Sequence, residues 1–174
     1  MIALMGHHFR RVWSDFNEAA FVDGATHNLD ALELKQRSDQ IKRALKTCLP
    51  SSFVEAAPII LNSLHPDDDV DLSGADMEAL GIRGWATMPM TQFVGEHGVD
   101  DFDLDMTVQR ELTKRGSSEF GIRTFISRDQ DRALTLLTEW ARDQNFHVRR
   151  LVSDGSRPRL PWAIQARQQI VNVM

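Results

Sequence analysis

A single cysteine, Cys48, stands in the whole chain, so neither an internal disulfide nor a cysteine-built zinc site can form. That agrees with a reducing compartment. Long apolar runs are missing as well: the longest stretch without a charge is the dozen residues from 84 to 95, too short for a membrane-spanning helix. The N-terminal apolar residues 1–5 precede Arg10 and Arg11 instead of following a basic region, which is the wrong order for a secretory signal. A cytoplasmic location is expected. No G-x-S-x-G, no P-loop and no G-x-G-x-x-G occurs, which removes the usual signatures of α/β hydrolases, nucleotide hydrolases and dinucleotide enzymes. Histidines are scattered or, at His7 and His8, adjacent, where a helix points them apart. Asp67, Asp69 and Asp71 alternate as in a calcium loop, but Leu72 stands where that loop needs glycine, so no metal site is expected.

What is present is apolar content of a globular kind: 42% hydrophobic residues and ten glycines in 174 residues, enough for one domain with its own core. The net charge of −5 is unevenly spread. Residues 67–105 carry eleven Asp and Glu against Arg83, whereas residues 146–174 carry five arginines against Asp154. A polyanion would be repelled by the first stretch and attracted to the second.

The periodicity is helical throughout, with no alternating β-branched segment, and predicts an all-α chain. Phe9, Val12, Trp13, Phe16 and Ala20 form one stripe, read as a helix ending near Gly24. Leu29 to Cys48 reads as a second helix stopped by Pro50. Ser52 with Glu55 makes a capping-box signature for a third. Residues 67–87 read as an acidic loop. Further helices are expected from Pro89 to Gly98, from Asp101 to Gly116, from Ser117, from Asp129, and from Phe146 to Gly155. Residues 120–126 and 146–152 share four apolar places and an Arg at a 26-residue offset. Such self-similarity marks an α-solenoid, here a short right-handed one of degenerate HEAT-like helix pairs. The organisation expected is a single helical-repeat domain over 1–174, with N-terminal helices to residue 66 and repeats from 88.

Chemistry concentrates at residues 147–162. Arg150 and Asp154 stand four apart on one helix face and can pair, which aims the guanidinium fork. Arg157-Pro158-Arg159-Leu160-Pro161-Trp162 then stiffens a loop bearing two more guanidinium groups and an indole. The competing reading is an ordinary surface pair with Trp162 in the core.

The segment from His147 to Trp162, together with Ser118-Glu119-Phe120-Gly121-Ile122-Arg123, closely resembles the bacterial DNA alkylation repair glycosylases built from HEAT-like repeats, the AlkC branch in particular. The likeness is firm from about residue 100 and weaker upstream, at residues 32–35 and 45–50. It implies a metal-free and cofactor-free hydrolase that releases cationic 3-methyladenine from double-stranded DNA containing alkylated purines. It implies roles for Glu119 beside the lesion, Arg150 and Asp154 as an active-site pair, and Trp162 against the deoxyribose. Arg149, Arg157 and Arg159 are assigned to DNA phosphates. Gly121 and Thr124 stand where the family more often has Ala and Pro, a difference of packing. The family continues beyond the Leu-Pro-Trp helix with further repeats and another acidic residue, so the resemblance implies a member shortened at its C-terminus. Ala163, Ala166, Ile170 and Val173 make an apolar stripe there, from which a homodimer through the C-terminal helix is expected. A catalytically inactive helical-repeat module, binding DNA or an acidic partner through its basic end, remains open as the other reading.

Overall fold

The computed structural model describes residues 1–66, 80–98 and 100–157. Over them run nine α-helices: α1 (Ile2–Val12), α2 (Glu18–Thr26), α3 (Leu34–Cys48), α4 (Phe53–Ser63), α5 (Thr87–His97), α6 (Phe102–Thr113), α7 (Ile122–Arg128), α8 (Gln130–Trp140) and α9 (Phe146–Gly155). Short 3-10 turns occur at Leu29–Ala31 and Gly84–Ala86. Among the described residues there is no strand, only one parallel bridge between Leu64 and Ile82. No single helix there is long and apolar enough to cross a membrane.

The helices stack in two layers. On one side α3 packs on α5 and α5 on α7; on the other α1 packs on α4, α4 on α6 and α6 on α9. Contacts of α5 with α6 join the layers, α2 closes the start against α1 and α3, and α8 bridges α7 to α9. This is the stacking of a short α-solenoid, in which each helix buries its apolar stripe on its neighbours. The core between the layers falls into two apolar clusters, one from Ile2 to Leu112 and one from Met106 to Leu151. Helix α6 serves both, since Val108 and Leu112 belong to the first and Met106 to the second.

Several boundaries differ from the periodicity. The stripe of Phe9 to Ala20 is broken into two helices, because the chain turns extended at Trp13 and the Asn17 side chain accepts the Ala20 N–H at 3.0 Å, starting α2. Phe16 still reaches the core from the turn, its ring 5.2 Å from Phe9 and 5.5 Å from Phe21. The second predicted helix starts only at Leu34, where Glu33 and Gln36 form a capping box. Ser52 does precede α4, but its side chain makes no cap bond, so the capping box read there does not form. Asp101, Asp129 and Asn145 cap α6, α8 and α9 through their side-chain oxygens. The acidic segment 67–79 lies outside the described residues.

Candidate functional site

Helix α9 carries most of the arginine chemistry, and it is fixed at both ends. At its start Asn145 accepts the N–H groups of His147 and Val148 at 2.9 and 3.4 Å, while Asp143 accepts the Asn145 N–H at 2.8 Å. The Arg110 guanidinium from α6 reaches the same Asp143 carboxylate, with Nε at 2.9 Å. At its far end Arg123 of α7, 1% exposed, donates to the carbonyls of Gly155 at 3.0 Å and Arg157 at 2.7 Å. A cation there answers the carbonyls that end a helix without partners. A Cβ on Gly155 would overlap the end of the Ile122 side chain, so a larger residue there requires Ile122 to shift.

Two guanidinium groups close on Asp154, one on each oxygen. Arg150 Nη1 donates to Oδ2 at 3.2 Å, and Arg157 Nη2 lies 3.1 Å from Oδ1. The pair read from the i, i+4 spacing is therefore a triad, with Arg157 brought in by the turn after α9. Arg149, one residue along, faces elsewhere: its Nη1 donates to the carbonyls of Asp143 and Gln144, both at 2.7 Å.

Glu119 reaches this cluster from the connection between α6 and α7. The predicted helix from Ser117 begins only at Ile122, since the buried Ser118 hydroxyl donates to the Gln109 carbonyl of α6 at 2.8 Å instead of capping a helix. Gly121 lies so close to α5 and α6 that a Cβ would meet the Gln109 amide and stand 2.6 Å from the Thr91 carbonyl. Ala there requires the backbone to move. The segment thus holds Glu119 half-buried. Burial pushes its carboxyl above the ordinary carboxylate range and the Asp154 charge adds to the shift, while Arg150, Arg157 and Arg123 pull the other way. Glu119, Asp154, Arg150 and Arg157 are within electrostatic reach of one another.

A cleft of about 310 Å³ opens at Glu119 and Arg150, lined also by Phe120, Gly84, Trp85 and Met88. Its backbone is tight: a Cβ on Gly116 would overlap the Thr87 hydroxyl and stand 3.1 Å from the Gly84 carbonyl. Half-buried carboxylate, fixed guanidinium groups and an aromatic wall suit a ligand that joins phosphate to a site of developing positive charge. Among the described residues no group of three or more His, Cys, Asp or Glu is arranged to hold a metal ion.

Arg159 and Trp162 lie outside the described residues, as does the apolar stripe of Ala163, Ala166, Ile170 and Val173. Two features went unread in the sequence. Arg123 carries no role in the sequence reading, where it stands in the resembling segment and opposite Arg149 in the 26-residue offset, yet it is buried and Arg149 exposed. Trp85 lies within residues 67–87, read from the sequence as an acidic loop.

No family model matches the chain. The uncharacterized protein YhaZ of Bacillus subtilis (strain 168) is 30% identical over 163 residues, which are 93% of this chain and 42% of that protein. The structure of Pseudomonas fluorescens alkylpurine DNA glycosylase AlkC, bound to DNA containing an abasic site analog, matches with a TM-score of 0.78 and 27% identity, over 94% of this chain and 42% of that one. The chain is thus similar to both along nearly all of its own length and spans less than half of theirs.

Proposed function

We propose that this chain is a DNA repair glycosylase, hydrolysing the N-glycosidic bond of cationic N3-alkylated purines such as 3-methyladenine without metal or cofactor. The observation that carries the reading is the meeting of Glu119 with the Arg150–Asp154–Arg157 cluster at a cleft. The likeness to a solved alkylpurine glycosylase supports it.

The chemistry follows from the charge on the base. An N3-alkylated purine takes the glycosidic electron pair and departs neutral, so it needs little help from an acid. The burden falls on the sugar, which becomes oxocarbenium-like at C1′. A carboxylate held in a partly dry site stabilises that charge more than one in water does. Glu119 fits this task, and its raised proton affinity suits it to take the proton of the water that adds to C1′. The products are free base and an abasic site. Asp154 adds negative charge on the same side while orienting Arg150 and Arg157 towards DNA phosphates. Arg149, tied to the Asp143 and Gln144 carbonyls, points away from this row, whereas Arg159 would extend the phosphate contacts and Trp162 would pack on the deoxyribose. Contacts of this kind set affinity and position without reading sequence, as an enzyme for scattered lesions requires.

The test is incubation with methylated duplex DNA and chromatography of the released bases. Free 3-methyladenine with an equal number of abasic sites is expected. Salt-sensitive DNA binding without base release would replace this reading with that of a binding module.

A further inference from the structure

Trp85 is the most exposed large hydrophobic side chain among the described residues, at 70%. It is nevertheless built into a fixed turn. Gly84 adopts a left-handed φ of 65°, open to glycine at little cost, and donates its N–H to the Arg115 carbonyl at 2.6 Å. The Thr87 hydroxyl donates to the Gly84 carbonyl at 2.8 Å. Just upstream, Ile82 exchanges backbone bonds with Ser63 and His65 at 2.9 and 3.0 Å, and Arg115 Nε donates to the His65 carbonyl at 2.8 Å. The indole therefore stands out from a backbone tied to the end of α4 on one side and to the α6–α7 connection on the other. It borders the same cleft as Glu119 and Arg150.

Because the backbone beneath it is already fixed, only the rotamer freedom of the ring itself is lost when a ligand covers it. Its face carries the negative side of a quadrupole and attracts a planar cation more than a neutral ring. From this placement we infer that Trp85 is a specificity-determining residue, the wall against which the positively charged alkylpurine packs, favouring it over neutral purines. The inference rests on the glycosylase reading. The interaction acts on the base while its charge is present, and the stacking persists as the bond begins to break. Its loss therefore weakens binding of the damaged site and leaves the chemical step almost untouched.

The experiment compares wild type with Trp85→Ala, Trp85→Leu and Trp85→Phe in steady-state release of 3-methyladenine from methylated duplex. Affinity for a duplex carrying a tetrahydrofuran abasic analogue, which has no base to pack on, is measured alongside. Ala and Leu should raise KM about fivefold with kcat within about twofold, Phe should recover most of the loss, and affinity for the abasic duplex should not move. Equal loss on the abasic duplex would make Trp85 a backbone contact and overturn the inference, as would rescue by Leu as complete as by Phe. If Ala fails to fold, the comparison of Leu with Phe still decides. Absence of base release by the wild type sinks the glycosylase reading, and this inference with it; release that is indifferent to Trp85 sinks this inference alone.

Discussion

The Arg123 guanidinium lies 3.0 Å from the Gly155 carbonyl, a buried charge on α7 closing the last turn of α9. Its bonds to the carbonyls of Gly155 and Arg157, with Glu119 within electrostatic reach, make it part of the frame of the site. Burial lowers its proton affinity and Glu119 partly restores it. Arg123→Ala leaves buried carbonyls without this donor and opens a cavity, which should cost about 3 kcal/mol of unfolding free energy in denaturant titrations. A loss below about 0.5 kcal/mol would mean that α9 is held without it.

Asp154 separates function from stability. Its pairs with Arg150 and Arg157 are partly solvated, so Asp154→Asn should change unfolding free energy by less than about 1 kcal/mol. Base release should fall by about 100-fold or more, because the guanidinium groups lose their common anchor beside the sugar. Parallel losses in both measurements would mark Asp154 as structural.

Glu119 gives the pH profile its sign. Its carboxyl titrates above the usual range near 4.3, first through burial and then through Asp154. Release should rise with pH as the carboxylate ionises, with an inflection above that range. Arg150→Ala removes a charge that favours ionisation and should move the inflection higher still. An inflection that stays in place would exclude Glu119 as the titrating group.

Asp105 predicts a stability change remote from the site. It is fully buried in the first turn of α6 against Gly98, and burial, then the charges of Asp101 and Asp100, push it up to about 8. The unfolded chain releases this proton near pH 4 and the folded chain near pH 8. Stability is therefore full below the first value, falls by up to about 1.4 kcal/mol per pH unit between them, and is level above the second. Asp105→Asn should be more stable than wild type at pH 8 by a margin that shrinks towards pH 5 in urea titrations. A margin that is constant with pH would contradict this.

Helices with strong caps were legible in the sequence: Asp101, Asp129 and the end of α9 at Gly155 stand where spacing put them. The break at Trp13 was not, because Phe16 keeps the helical period while reaching the core from a turn. At the site, the i, i+4 spacing gave Arg150 with Asp154, and the resemblance pointed to Glu119. Arg157 as the third member depends on the turn after α9, Arg123 on a burial that an arginine's letter argues against, and Trp85 on a long-range tie between Gly84 and Arg115. Such contacts join segments far apart in the chain, and local pattern does not encode them.

The most direct measurement is single-turnover release of 3-methyladenine from methylated duplex by wild type and by Glu119→Gln at neutral pH, with DNA affinity recorded for both. The expected result is release by wild type, a fall of about 100-fold or more in the variant, and affinity unchanged within about twofold. Equal release by the two proteins, or none by wild type, would contradict a carboxylate acting on the sugar.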